Sequence, residues 1–242
     1  HKGIYVFSVI FFALAWEIAA RMANMPLVLP GLLSVLRKLF ELSGTKQFWK
    51  SLAFSFMRVI SAFGITTILG LFLGFASGLC KSIQSFLKFP FSIIKATPVV
   101  ALIMIALFWF SSQKLPVICA VLMTLPVIYD AVCGALQNAN KNLLDMSRIF
   151  RLSFSTRLKH VYFPLTKPYI LTACKTVFAQ SWKVVAAGEI LSVPRWALGT
   201  MLQEKRILLE PASVFALVLA LTVFCILSEK ILFSFVDFMG AT

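Results

Sequence analysis

The chain has 242 residues, of which 60% are hydrophobic and only 13% are charged. Soluble domains carry about 25% charged residues, so this composition excludes a water-soluble globular protein, which needs a polar shell. The formal net charge is +14, but the basic residues fall mostly at the ends of apolar runs, where they anchor helices at lipid headgroups. No nucleic-acid binding is therefore expected. We predict an all-α, polytopic membrane protein that forms one domain over residues 1–242.

Six apolar runs are long enough for spanning helices, which need about 20 residues each. The first run carries Glu17 and Arg21 at a spacing that allows them to pair on a helix. It has no A-x-A cleavage site, so we interpret it as a retained helix and not a signal peptide. An amphipathic segment at residues 32–42 is predicted to lie along the membrane surface. The six predicted spans are residues 3–22, 52–80, 91–110, 115–136, 169–193 and 211–235.

Glycines and prolines mark two of these spans. Gly70, Gly74 and Gly78 recur at every fourth position of the second span, and such small residues let helices approach closely in lipid. This ladder predicts helix packing within the chain, with a contact to a second copy of the chain as the alternative. Pro98 lies inside the third span and predicts a kink there.

Charged residues within a span mark functional positions, because burying a charge in lipid is costly. The fifth span carries Lys183 and Glu189, which point about 240° apart around a helix and so do not face each other. Lys183 either lines a path through the membrane or pairs with a carboxylate or reaches the interface. Trp182 either lines the same path or packs in the core. With Pro98, these three residues are the candidates for the path.

Five cysteines and two histidines offer no further chemistry. None of the cysteines forms a C-x-x-C pair, and neither His1 nor His160 has a partner at metal-ligand spacing. Cysteines in apolar runs are expected to be small buried hydrophobic residues. We therefore expect no metal site, no disulfide framework and no catalytic residue.

A polar, basic segment interrupts the apolar pattern at residues 141–168. Its first part mixes apolar and charged residues in the pattern of a short amphipathic helix, and Ser153 and Ser155 then provide a break or a cap. A second short stretch at residues 156–163 is expected to end at Pro164. The residues alone leave two functions open: docking into a groove on a partner, or lying on lipid headgroups.

This segment resembles the EAA loop of permease subunits in ATP-binding cassette (ABC) importers. Asp145, Met146 and Ser147 occupy the E-A-A positions, Arg151 occupies the glycine position, and V-Y-F-P at residues 161–164 occupies the I-x-L-P positions. From about residue 10 to 235 the chain resembles the nitrate/sulfonate/taurine-type branch of these permeases. The matching motifs are Ser51-Leu52 with Arg58-Val59, the glycine ladder, Thr97-Pro98 with Phe108-Trp109-Phe110, Ser181-Trp182, Ala187-Gly188-Glu189 and Leu198-Gly199.

The resemblance implies a type I ABC importer permease-like fold of about six transmembrane helices and a cytoplasmic coupling helix. The core would span about residues 50–235 and the coupling loop about residues 141–167. The resemblance also implies that this loop docks on the partner ATPase. Its implied contact residues are Leu144, Asp145, Met146, Ser147, Arg148, Phe150, Arg151 and Pro164.

The implied function is the uptake of a small solute, of the sulfonate, taurine, nitrate or vitamin and thiamine-precursor type, across the bacterial inner membrane. The implied partners are a dimer of cytoplasmic ATPases, a second permease copy in a homodimer, an external solute-binding protein and membrane lipid. ATP and Mg would be bound by the ATPase, so that no cofactor is expected on this chain and the chain itself is not an enzyme. The alternatives are a stand-alone ion-coupled secondary transporter, for which no inverted repeat is visible, and a membrane scaffold.

Overall fold

A computed structural model of the chain describes residues 2–23, 25, 27–139 and 153–240. Within these ranges the fold is all-helical and contains no strand. In chain order the helices are α1 (Lys2–Ala23), α2 (Leu32–Ser43), α3 (Lys46–Leu79), α4 (Lys81–Ala96), α5 (Val99–Ala106), α6 (Leu115–Gln137), α7 (Phe154–Arg157), α8 (Phe163–Ser192), α9 (Leu198–Ile207) and α10 (Pro211–Gly240). A π-helical turn, Leu158–Tyr162, joins α7 to α8.

Each of the six predicted spans corresponds to a helix or a pair of helices. Among the described residues, α3, α6 and α10 over Pro211–Ser234 are long and apolar enough to cross a membrane, and the bent pair α4–α5 would be a fourth span. The first and fifth predicted spans coincide with α1 and α8. The all-α membrane fold is therefore confirmed, whereas the number of six spans stays a prediction.

The third predicted span is not one helix. The chain turns by 102° between α4 and α5, and Pro98 is the N-terminal cap residue of α5. The residue before a proline is driven out of the helical region, and Thr97 accordingly has extended backbone angles, φ −79° and ψ 126°. The predicted kink at Pro98 is thus a full break, and the helix before it begins ten residues earlier than expected, at Lys81 and not Phe91.

Close packing of α3 against α6 organises the core. A Cβ atom on Gly70 would lie 2.8 Å from the Cβ of Ile128, and one on Gly74 would lie 2.7 Å from the Cβ of Val132. Gly78 meets α6 in the same way. Because lipid is as apolar as leucine, helices in a membrane associate through such close contacts and through hydrogen bonds. The structure places the glycine ladder in a contact within the chain.

The helix α8 completes the core by packing against both α3 and α6. Buried side chains from all three helices form one cluster that includes Val59, Cys119 and Phe178. At its centre, the hydroxyls of Thr66 and Thr124 lie 3.0 Å apart and bridge α3 to α6. The core is therefore a three-helix unit, around which the other helices are arranged.

The polar segments of the sequence also form helices. The predicted amphipathic segment is α2, which packs on α10 and α3, while its place at the membrane surface stays a prediction. The predicted cap at Ser153 is confirmed, since its Oγ accepts a hydrogen bond from the backbone N–H of Thr156 at 3.2 Å. Pro164 was expected to end a short helix, which is wrong. It lies in the first turn of α8, directly after the π-helical turn Leu158–Tyr162.

Candidate functional site

A buried ion pair joins two helices that are far apart in the sequence. Arg58 of α3 donates a hydrogen bond from Nη1 to Oε1 of Glu189 on α8 at 2.9 Å. The Arg58 side chain is 8% exposed and that of Glu189 is 0% exposed. A charge removed from water in this way is tolerated only when it is paired and hydrogen-bonded. We call this arrangement, with the neighbours described next, the Arg58–Glu189 clasp.

The Glu189 carboxylate has further partners on α3 and α9. The Ser55 hydroxyl donates to both carboxylate oxygens at 2.8 Å, and the backbone N–H of Gly199 donates to Oε2 at 3.1 Å. Ser55 Oγ in turn accepts from the backbone N–H of Leu198 at 3.0 Å. The carboxylate therefore lies at the N-terminal end of α9, where free N–H groups and the helix dipole favour a negative charge.

Gly199 allows α9 to approach α8 this closely. A Cβ atom at this position would lie 2.5 Å from the Cβ of Glu189 and 2.8 Å from the backbone oxygen of Ala186. Any side chain would push the start of α9 away from α8. The leucine-glycine pair of the sequence motif therefore serves to seat α9 on the clasp.

The Arg58 guanidinium extends the clasp to two connecting segments. It donates to the backbone carbonyls of Trp196 at 3.1 Å and Arg195 at 3.2 Å, and to Oε1 of Gln113 at 2.9 Å. Trp196 has a φ of 55°, a left-handed conformation that is rare for a large residue. The clasp thus fixes α3, the end of α8, the turn before α9 and the segment between α5 and α6.

The predicted path residues do not share one surface. Trp182 is 3% exposed and donates from Nε1 to the Ser228 hydroxyl of α10 at 3.1 Å. It also borders an apolar pocket of about 340 Å³ between α3, α8 and α10. Lys183 and Pro98 are exposed. The described hydrogen-bond partners of the Glu189 carboxylate are residues of this chain. The structure brings Trp182 and Glu189 into the core, and a path role for any of the four stays a prediction.

Seven of the eight predicted contact residues of the coupling loop lie outside the described residues. This applies to Leu144, Asp145, Met146, Ser147, Arg148, Phe150 and Arg151. The eighth residue, Pro164, is exposed in the first turn of α8. The described chain reaches the loop from the end of α6 and leaves it through α7.

Sequence reasoning missed the partner of Glu189 and a second charge pair. Glu189 was compared with Lys183 on its own helix, whereas its partner, Arg58, lies on another helix. Lys95 of α4 pairs with Asp130 of α6 at 2.5 Å, and neither residue was among the predicted path candidates. The rule that a charge in a membrane helix has a partner would have signalled both Arg58 and Asp130.

Comparison with known proteins agrees with this architecture. A family model described as "Binding-protein-dependent transport system inner membrane component" matches residues 66–237, more than half of the chain. The chain is 25% identical over 196 residues to the taurine transport system permease protein TauC of Escherichia coli (strain K12), covering 78% of this chain and 70% of that protein. It is 29% identical over 154 residues to the nitrate import permease protein NrtB of Leptolyngbya laminosa, covering 62% of this chain and 54% of that protein.

Other relatives extend the comparison. The bicarbonate transport system permease protein CmpB of Synechococcus elongatus is 28% identical over 146 residues, covering 60% of this chain and 52% of that protein. The match thus spans about half the length of the nitrate and bicarbonate permeases. Among solved structures, the MetNI methionine ABC transporter in inward-facing conformations has a similar chain, with a TM-score of 0.53 and 15% identity over 85% of this chain and 97% of that one.

The structural likeness concerns the fold alone, and the family match supplies the function. Both agree with the resemblance seen in the loop and in the motifs along the chain. The chain belongs to the binding-protein-dependent transport system inner membrane components and is a multi-pass permease subunit of an ABC importer.

Proposed function

We propose that this permease imports a small anionic or zwitterionic solute of the sulfonate, taurine or nitrate type. We further propose that residues 141–167 couple it to a cytoplasmic ATPase. The names of the relatives support this solute class, because they are permeases for taurine, bicarbonate and nitrate. The partners in this proposal are two ATPase subunits, a second copy of the permease, an external solute-binding protein and the surrounding lipid. ATP and Mg would be bound by the ATPases, and this chain would perform no hydrolysis.

The place of the loop between two core helices carries the coupling proposal. The chain leaves α6 at Gln137 and returns through α7 and the π-helical turn into α8. The helices α6 and α8 pack extensively against each other and against α3. A displacement of the loop would therefore pull on the ends of two core helices at once. Because the described chain runs from α7 through the π-helical turn into α8 without a break, movement of α7 would pass directly into α8.

The Arg58–Glu189 clasp lies at the opposite end of α8 from the loop. The helix α8 has 30 residues, and Glu189 lies about 39 Å along it from its start at a rise of 1.5 Å per residue. The clasp joins that far end to α3 and α9. Movement that enters α8 at the loop would thus reach the opposite end of the bundle as a rigid displacement, as in rocking transitions.

Co-purification with candidate ATPase subunits tests the coupling proposal. We expect an ATPase to bind the native chain and to be lost from the double variant Asp145→Lys, Phe150→Asp. The matched control is Glu204→Lys, Ile207→Asp, which likewise replaces an acidic residue by lysine and an apolar residue by aspartate, at exposed positions of α9. Since α9 follows the far end of α8, this control should retain the ATPase.

Uptake into proteoliposomes gives the second readout. With the solute-binding protein and ATP present, the native complex is expected to accumulate taurine, nitrate or bicarbonate, and the loop variant is expected to fail. Retention of the ATPase by the loop variant would refute the proposed docking site. Solute uptake by the chain alone, without ATP or an ATPase, would instead identify a secondary transporter.

A further inference from the structure

A polar cleft separates α4 from α6 on the outer surface of the bundle. It has a volume of about 330 Å³, and its walls include Lys88, Ser92 and Lys95 of α4 and Asp130 of α6. The buried rings of Phe91 and Tyr129 form an apolar floor, where they pack edge to face with their centroids 4.4 Å apart. The cleft is thus closed on the inside and open on the outside of the chain.

By helix length, part of the cleft lies within the span predicted for α6. The helix α6 is one of those that can span a membrane, and Asp130 lies about 22 Å from its first residue and about 10 Å from its last at 1.5 Å per residue. Lys95 pairs with Asp130 at 2.5 Å, yet the two side chains remain 47% and 50% exposed. The pair is therefore within the span but is not buried by this chain.

An exposed charge pair at this depth must face water or another protein. Charged residues in membrane helices face the bundle interior or a water-filled cavity, because lipid does not solvate them. Outside the cleft, α4 carries exposed apolar side chains such as Phe86 and Phe89, as expected for contact with lipid, whereas Lys88 and Lys95 line the cleft. The charged face of α4 that lines the cleft is therefore the part of this surface that faces water or another protein in the assembled transporter.

We propose that the α4–α6 cleft is a binding site for a small anion such as a sulfonate, nitrate or bicarbonate, held by Lys88 and Lys95. This inference rests on the proposed function, to which it adds a place where the solute binds within the membrane. Lys88 has no ion-pair partner among the described residues, so the described walls of the cleft carry one more positive than negative charge. The amide of Gln137 borders the same space and can donate a hydrogen bond to an oxyanion.

The Lys95–Asp130 pair makes this site suited to transient binding. A half-exposed ion pair in water contributes little stability. An entering anion can therefore replace Asp130 as the partner of Lys95 at a small cost in free energy. Asp130 then competes for the lysine and favours release of the anion. A site on a transport path needs both properties, because the solute must leave as readily as it enters.

Thiol labelling of the assembled complex tests the cleft directly. Ser92→Cys is introduced together with Cys80→Ser and Cys133→Ala, which remove an exposed thiol and the thiol beside the cleft. The probes are two methanethiosulfonate reagents of similar size, one with an anionic ethylsulfonate and one with a cationic trimethylammonium group. The matched control is Ser61→Cys on α3, since Ser61 and Ser92 are both exposed serines whose hydroxyls donate to the carbonyl four residues earlier at 2.8 Å.

We expect Ser92→Cys to react at least ten times faster than Ser61→Cys, and faster with the anionic reagent than with the cationic one. Adding Lys95→Gln should lower the anion-to-cation rate ratio severalfold, because loss of a positive charge near the cysteine slows the anionic reagent and speeds the cationic one. Asp130→Asn should raise the ratio, and an excess of unreactive ethanesulfonate should protect the cysteine from both reagents.

The outcomes separate this inference from the proposed function. ATPase binding and ATP-driven uptake are measured on the native complex before any labelling, and their failure would contradict the proposed function. An active complex in which Ser92→Cys does not react would show that the cleft faces lipid or is covered by the second permease. Rapid labelling without charge preference, or without protection by ethanesulfonate, would show a water-filled space with no anion site. Either result would overturn the inference.

Discussion

Removal of the Glu189 carboxylate is expected to destabilise the chain strongly. Glu189→Ala leaves the Arg58 guanidinium, the Ser55 hydroxyl and the Gly199 N–H without their common acceptor. Breaking a buried ion pair by removing one partner costs about 3–5 kcal/mol. Arg58 keeps its bonds to two backbone carbonyls and to Gln113, so we expect a loss of about 3 kcal/mol, the lower end of that range.

A double-mutant cycle isolates the pair from the rest of the clasp. Arg58→Met alone should cost about as much as Glu189→Ala, since each single change leaves a buried charge unpaired. The double variant should cost clearly less than the sum of the two, because no isolated charge remains. We expect a coupling energy of about 2 kcal/mol, within the range for residues in one ion-pair network.

The free energy of unfolding is measured by titrating SDS into the purified chain in dodecyl maltoside micelles, with circular dichroism as the signal. The control is Glu204→Gln, an exposed acid on α9, which should change the free energy by less than about 0.5 kcal/mol. If the two single losses add up in the double variant, Arg58 and Glu189 are not energetically coupled. The Arg58–Glu189 ion pair would then not hold α3 to α8.

Two further predictions use the same measurement. Gly74→Ala would place a Cβ 2.7 Å from the Cβ of Val132 and should lower the free energy of unfolding by about 1–3 kcal/mol. The control is Gly64→Ala on the same helix, whose Cβ meets no atom within 4 Å. Equal effects of the two changes would contradict the close α3–α6 contact. Trp182→Phe removes the hydrogen bond to Ser228 at 3.1 Å and should lower the free energy of unfolding by about 1 kcal/mol. Adding Ser228→Ala to this variant should cause no further loss of stability. A further loss would show that the Ser228 hydroxyl stabilises the chain through another contact.

The sequence was sufficient for the properties that depend on local pattern. Runs of about 20 apolar residues determine helices in a membrane, and a helix is present at each predicted position. The glycine ladder predicted a close helix contact, because a missing side chain leaves room that only another helix fills. Ser153 was recognised as a cap since its hydroxyl can accept from a nearby N–H whatever the rest of the fold does. The family followed from motifs spread along the chain.

Only the tertiary structure decided which residues meet. Arg58 and Glu189 are 131 positions apart, and their pairing depends on the rotation and axial shift of α3 relative to α8. The same holds for Lys95 and Asp130, whose cleft exists because α4 breaks away at Pro98 by 102°. A residue pattern reports what each helix presents to lipid or water, but it contains no measure of how two helices are turned toward each other. That geometry is set by close contacts across the whole bundle, so the partners of the charged residues, and with them the candidate site, appear only in the folded chain.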